Sequence, residues 1–397
     1  MTLAIRLLLE MDVGRMKAMH SEKRTSSRLC WVSSVLVLAL SLSVATPIIA
    51  AQESKLSSER HGQIEKAIAK FMAANSVPGL SVAIVENGAL KWSQGFGMAD
   101  VENSVPATTF TLYRLASVSK PLTATAAMQL WERGKLNFDA LVQNYCPAFP
   151  QKEWPITTRE LLGHLGGIRH YHSDSQDDPE TGNTKHFDDP IAAGLKFFAN
   201  DPLVAKPGTK FNYSTQGFTL VGCAIEGASG EKYVEYVRKN IFFPAGMPRT
   251  VQDDLIAIIP SRTRFYHKDE SGRVVNANLL DSSYKVPGGG WLSSADEMAR
   301  FEVAILSDRL IRRATRDMMW TPQKLTDGSQ TGYALGWSTG KEAGVADVGH
   351  LGGQQGTSTL ITIAPEQRAG IVLLVNMDNV DVSALGTELL RIVLGTK

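Results

Sequence analysis

The sequence predicts an α/β fold: a mainly antiparallel sheet flanked by helices, with a helical region inserted between its strands. Three observations predict it. Segments that read as strands gather towards the two ends of the chain, at 80–96 and 333–375. Short turns such as Glu86-Asn87-Gly88 join neighbouring segments, which makes hairpins rather than parallel crossovers. The stretch between them, from Ser117 to about Gly290, is richer in helix and loop.

The elements follow in chain order. Arg24 and Arg28 precede an apolar run from Leu29 to Ala51 that is interrupted by Pro47 and ends in Ile48-Ile49-Ala50-Ala51. A basic start, an apolar core and a small-residue end describe a secretory signal peptide, cleaved after Ala50 or Ala51. The competing reading is a membrane anchor over residues 29–51, since about 20 apolar residues can span a bilayer. Met16 and Met19 are alternative starts. With the leader removed, the expected location is secreted or periplasmic, with no stable membrane association.

Residues 52–397 are ample for a sizeable core, as one large domain or two intertwined subdomains. The sheet region is about 52–115 and 290–397, and the helical region about 116–289. Glu59 to Asn75 has helical spacing, with Ile64, Ile68 and Phe71 on one stripe. Leu80–Val85 and Ala89–Phe96 read as paired strands. Ser294-Ala295-Asp296-Glu297 reads as a capping box opening a helix through Ile305. Strands follow at Tyr333–Ser338, Val345–His350, Ser358–Ile363 and Gly370–Val375. Val380–Leu394 closes the chain as an amphipathic helix.

Composition excludes several classes. Residues 1–51 hold six Lys/Arg and three Asp/Glu, so the remainder carries 35 against 37, a net charge of −2. That balance gives no footprint for nucleic acid or an anionic membrane. Cys30 begins the apolar run, which argues against a lipid-anchored cysteine. Cys146 and Cys223 remain, enough for one disulfide in an oxidising compartment but not for a framework. Cys223 reads as a core residue of a helix. Walker and dinucleotide fingerprints are missing.

The most informative chemistry lies in Ala116–Trp131, ASVSKPLTATAAMQLW, where Lys120 is the only charge. A helix apolar on nearly all faces is buried. Burial disfavours an ammonium, so Lys120 is expected to lean towards the neutral amine. Ser117 shares its face three residues earlier, which sets a general base beside a hydroxyl. Orphan N–H groups of the helix start could stabilise an oxyanion. The bland alternative is an N-cap serine with a snorkelling lysine. Ser-x-x-Lys recurs at Ser229/Lys232, Ser282/Lys285 and Ser338/Lys341, and none of these reads as the start of a buried helix.

Two further candidates complete a site. Tyr213 follows a turn and precedes an apolar helix, with a buried structural tyrosine as the alternative. His350, in Gly349-His350-Leu351-Gly352-Gly353, ends a strand segment beside glycines that admit close backbone approach. An ordinary bulge is its alternative.

Together the three pieces, Ser117-x-x-Lys120, Tyr213-Ser214-Thr215 and His350-x-Gly352-Gly353, resemble the serine β-lactamase-like family. That family includes class C β-lactamases, penicillin-binding D-alanyl-D-alanine carboxypeptidases and related esterases. The resemblance also covers YRLASVSKPLTA, LLGHLGGI at 161–168, KPGTKFNYST and GGGWLSSADEMARF, over roughly residues 60–395. Gly166-Gly167-Ile168-Arg169-His170-Tyr171 and Met318-Met319-Trp320-Thr321-Pro322 look most like its LACTB-type branch. The resemblance implies a β-lactamase/transpeptidase-like fold and a serine hydrolase working through an acyl-enzyme without a cofactor. It implies Ser117 as nucleophile, Lys120 and Tyr213 acting together on its proton, and His350 where most members carry the lysine of Lys-Thr-Gly. The oxyanion hole would be the N–H groups of Ser117 and Gly353, with Thr215 and Gly352 contacting substrate.

Two departures bear on substrate. Thr215 stands where many members have an asparagine that contacts an acylamide side chain. His350 is a cation only when protonated, and histidine ordinarily titrates near neutral pH. These two residues rank β-lactams last; peptide and amide substrates, with D-Ala carboxypeptidase-like action, are expected ahead of esters, although the acylation chemistry is shared. The reading from another class is a non-catalytic peptide-binding protein of the same fold.

His164, His170, His172 and His186 lack metal-ligand spacing, so no metal is expected. The polar stretch from His172 to Pro190 reads as a long loop, either a lid or a surface excursion, with the lid favoured.

Overall fold

The computed structural model describes residues 56–173 and 178–396; the leader expected within residues 1–51 lies outside them. Five of its helices matter most here: α1 (Ser58–Asn75), α2 (Ser119–Glu132), α3 (Thr215–Ser229), α4 (Ala295–Leu306) and α5 (Ser383–Leu394). The main-sheet strands are β1 (Gly79–Glu86), β2 (Ala89–Asp100), β3 (Val105–Pro106), β4 (Ser338–Glu342), β5 (Val345–Gln354), β6 (Thr357–Ala364) and β7 (Ala369–Val375). Among the described residues they form one seven-stranded sheet in the order β3-β2-β1-β7-β6-β5-β4. Every pairing is antiparallel, and β1 joins β7 with Leu80 opposite Val375. The two ends of the chain thus close one sheet around the helical middle.

Strand periodicity sorts the core into two layers. Leu80, Val82 and Ile84 of β1, with Ile371, Leu373 and Val375 of β7, face a cluster that includes Ile64 and Ile68 of α1 and Leu389 and Leu390 of α5. Ala83, Val85, Val372 and Leu374 point the other way, into the cluster that holds α4 and, beyond it, α2 and α3. Being buried on both faces, β1, β6 and β7 lack the apolar–polar alternation of a half-exposed strand.

From Ser119 to Leu130 every residue of α2 is buried, and α2 packs on α3. The Cys146–Cys223 disulfide ties α3 to the loop around Cys146, 77 residues earlier in the chain. Gly227 permits that closeness, because a Cβ there would lie 1.7 Å from the Tyr145 carbonyl oxygen.

Several expectations need correction. Residues 333–338 make a turn rather than a strand. The Ala334 N–H donates to the Trp337 carbonyl and Gly336 takes φ +81°, so the chain enters β4 only at Ser338. The alternating Tyr333, Leu335 and Trp337 imitate a strand, but all three are buried around the turn. The capping box at Ser294 is half formed. Ser294 Oγ accepts the Glu297 N–H, but the Glu297 carboxylate accepts from the Arg249 N–H at 2.9 Å and the Thr250 hydroxyl at 2.6 Å. His350 lies within β5 rather than at its end. The described part of the 172–190 loop is tied down rather than lid-like. Arg169 grips Glu180 through two hydrogen bonds, at 2.6 and 3.0 Å, and Glu180, Thr181 and Asn183 are buried.

Candidate active site

The Ser117 hydroxyl sits where α2, α3 and β5 converge. Ala116–Val118 form a single 3-10 turn ahead of α2, so Ser117 precedes the α-helix proper. Ala116 takes φ +46°, a left-handed conformation unfavourable for a residue with a Cβ. Ala116 and Val118 are buried on either side, which holds the turn in place.

Lys120 Nζ lies 3.0 Å from Ser117 Oγ, 3.2 Å from Thr215 Oγ1 and 2.8 Å from the Gly288 carbonyl oxygen. Its side chain is fully buried. Burial, with repulsion from Lys285 adding to it, holds Lys120 well below the usual lysine range. A neutral amine fits these partners. Its two N–H groups serve Thr215 and Gly288, leaving the lone pair to accept the Ser117 O–H. From the other side the Tyr213 phenol donates to Ser117 Oγ at 2.7 Å. Burial pushes the Tyr213 phenol up, so it stays protonated. The three groups form a chain along which a proton can leave Ser117 and be returned.

Thr215 begins α3, whose N-cap is Ser214; Ser214 Oγ accepts the Gly217 N–H. The Thr215 N–H donates to His170 Nδ1 at 3.2 Å, and the Ser214 N–H donates to His164 Nδ1 at 3.1 Å. These two histidines therefore fix the Tyr213 loop. Burial pushes His170 down to about 3, with Lys120, Lys285 and Arg169 adding repulsion.

A cleft of about 350 Å³ opens beside Ser117, with Thr215, Gly289 and Gly353 in its walls. Gly353 is exposed, and nothing stands within 4 Å of where its Cβ would be. Gly352 is different. A Cβ there would lie 2.5 Å from the Leu115 carbonyl oxygen and 3.2 Å from the Ser117 nitrogen. It lets β5 approach the Ser117 turn and does not line the cleft, contrary to the substrate contact expected for it.

His350 also departs from expectation. Its Nδ1–H donates to the Leu351 carbonyl at 2.6 Å, which leaves Nε2 to accept the Tyr333 hydroxyl at 2.8 Å. Burial, assisted by Lys120, pushes it down to about 3. It is therefore neutral near pH 7 and offers no switchable cation there. It packs behind Tyr213, with ring centroids 6.2 Å apart, and is absent from the cleft lining.

The structure thus brings Ser117, Lys120, Tyr213, Thr215 and Gly353 together. One residue the sequence reading passed over joins them. Lys285 is buried and lines the cleft. The signal was available, because Lys285 is the only charge from Ser282 to Ala295, the same anomaly that marks Lys120.

The β-lactamase family model matches residues 64–393. The chain is 34% identical over 382 residues to the serine beta-lactamase-like protein LACTB, mitochondrial, of Homo sapiens, covering 73% of this chain and 69% of that one. It is 28% identical over 319 residues to penicillin-binding protein 4* of Bacillus subtilis, covering 75% and 68% respectively. Among solved structures, the octameric penicillin-binding protein homologue from Pyrococcus abyssi is similar with a TM-score of 0.71 at 27% identity, over 85% of this chain and 78% of that one.

Proposed function

This chain belongs to the β-lactamase family and has its β-lactamase/transpeptidase-like fold, and from that premise we propose that it is an exported serine hydrolase that cleaves amide or peptide bonds through an acyl-enzyme. The observation that carries the reading is the Ser117 hydroxyl held between the Lys120 amine at 3.0 Å and the Tyr213 phenol at 2.7 Å, at the edge of an open cleft.

Ser117 Oγ attacks the substrate carbonyl as its proton passes to the Lys120–Tyr213 pair. The N–H groups of Ser117 and Gly353 receive the oxyanion. The pair then returns a proton to the leaving amine, and the C–N bond breaks. Water enters, loses its proton to the same pair and attacks the acyl carbon. Ser117 is released with its proton restored.

Amides rank ahead of esters because the relay can protonate an amine, a poor leaving group unless protonated. β-Lactams rank last because Thr215 supplies no carboxamide and His350 is held neutral. A binding protein without chemistry would have no use for a buried, deprotonation-prone lysine, which is costly to keep. The leader pattern in residues 1–51 supports export, and the Cys146–Cys223 disulfide fits an oxidising compartment.

The test is intact mass after exposure to a fluorophosphonate probe. A single adduct mapping to Ser117, absent from Ser117→Ala, is expected. No adduct under conditions that label a control hydrolase would sink the hydrolase reading. D-Ala-D-Ala peptides, p-nitrophenyl esters and nitrocefin then rank the substrates.

A further inference from the structure

Charges around the cleft leave one unaccounted for. Arg114 donates to Asp253 at 2.7 Å, and Arg169 holds Glu180. Asp281 accepts the Ser283 N–H and faces His186 at 3.2 Å. Asp378, at the cleft wall, faces His267 at 2.7 Å and accepts the Gly356 N–H at 2.9 Å. Lys120 leans to the neutral amine. Lys285 remains. It is 2% exposed, lines the cleft with Ser117, and among the described residues has no carboxylate within 4 Å of its ammonium.

What surrounds Lys285 favours a visiting anion. Its Nζ lies 5.3 Å from the Tyr171 ring centroid and 5.5 Å from that of Tyr284, so aromatic faces rather than counter-ions hold it. Burial and the neighbouring Arg114 push it down to about 7, although Asp253 and Glu180 pull the other way. A cation so desolvated gains more from a bound carboxylate than an exposed lysine does. Its segment is also fixed to the reacting centre, because the Gly288 carbonyl three residues on accepts from Lys120. The family position for a cation, His350, is neutral and outside the cleft.

We propose that Lys285 is the specificity-determining anchor for a substrate carboxylate, so that this cleft takes acyl donors bearing a free carboxylate. The inference rests on the hydrolase reading above. The carboxylate can belong to the leaving residue, as in a peptide C-terminus, or to the acyl part, as in an acidic side chain.

Two matched pairs separate these sources: N-acetyl-D-Ala-D-Ala against its C-terminal carboxamide, and N-acetyl-glutamate p-nitroanilide against the glutamine analogue. Wild type is expected to favour the carboxylate member of at least one pair by tenfold or more in kcat/KM. Lys285→Met should bring that ratio near one, and Lys285→Arg should keep most of it. The ratio is internal to each protein, so a partial loss of folded enzyme does not move it. Equal turnover within both pairs by wild type, or an undiminished preference in Lys285→Met, overturns the proposal. Calorimetry with the same N-acetyl-D-Ala-D-Ala and N-acetylglutamate pairs on Ser117→Ala and on Ser117→Ala/Lys285→Met reads the anchor without chemistry. Tenfold tighter carboxylate binding that is lost with Lys285 supports the anchor even if fluorophosphonate labelling fails and the hydrolase reading falls. Indifference to charge in both proteins overturns the anchor whatever the labelling shows.

Discussion

The two faces of the sheet are built to different ends. The face under α1 and α5 is mainly apolar, with Ile64, Ile68, Leu389 and Leu390 packed on Leu80, Val82, Leu373 and Val375. The opposite side carries the buried ionisable groups Lys120, His164, Lys285, Glu302 and His350, with Tyr213 half-buried beside them. Each is desolvated, and desolvation shifts each towards its neutral form. One face maximises burial of hydrocarbon. The other gives up stability to bury titratable groups, and at Lys120, Lys285 and Glu302 it works against the charged form they carry in water.

Substitutions on the two faces should therefore separate stability from chemistry. The largest effect is expected at the reacting centre. Ser117→Ala and Lys120→Met should each lower kcat/KM by about 10³-fold or more, roughly 4 kcal/mol of transition-state stabilisation, with thermal stability unchanged or raised. Turnover that survives in Ser117→Ala would place the chemistry elsewhere.

Leu389→Ala tests the apolar face. Loss of a fully buried leucine should cost about 2–5 kcal/mol in denaturant unfolding. Turnover per folded molecule should stay at the wild-type value. A changed KM would show that the two faces are coupled.

Gly352→Ala lies between the regions. Its Cβ would meet the Leu115 carbonyl and Thr359 Oγ1, which stands 2.3 Å away, so the Ser117 turn must shift. A shift there should lower kcat about 10–100-fold, since small misplacements of reacting groups are costly. Unimpaired kcat would mean the turn tolerates the displacement.

The smallest effect concerns Glu302, fully buried on α4 with no hydrogen-bond partner for either carboxyl oxygen among the described residues. Burial pushes its carboxyl well above the usual range. A raised acid binds its proton more tightly when folded. Its contribution is therefore fully present below the unfolded value and is lost as pH rises towards the folded one. Glu302→Gln should flatten that decline, and Glu302→Met should add about 1–3 kcal/mol near neutral pH by removing an unsatisfied polar group. Unfolding curves at several pH values from 5 to 9 read both. A wild type whose stability climbs over that range would contradict the assignment.

The same contrast explains what was legible in the chain. The strands at 79–86, 357–364 and 369–375 were visible because β-rich apolar runs between turn residues are local patterns. The 333–338 turn was misread because its alternation arises from three side chains wrapping a bend, which periodicity cannot tell from a strand. Gly352 and Gly353 are adjacent yet unlike. Only the approach of the Leu115 carbonyl makes one a packing contact and leaves the other open to the cleft.

By itself the sequence determined what is local. It set the strand and helix segments, the shared face of Ser117 and Lys120, and the anomaly of a lone lysine in an apolar helix. Tertiary structure decided what depends on surroundings. It brought Tyr213 to Ser117 across 96 positions and Gly288 to Lys120 across 168, and it turned His350 away to Tyr333. It also shifted the protonation equilibria. Two buried lysines near Ser117 begin with the same chemistry. The atoms folded around them push both towards the neutral amine, give Lys120 hydrogen-bond partners at Ser117, Thr215 and Gly288, and leave Lys285 among aromatic rings, because the free energy of a charge depends on its surroundings rather than on its place in the chain.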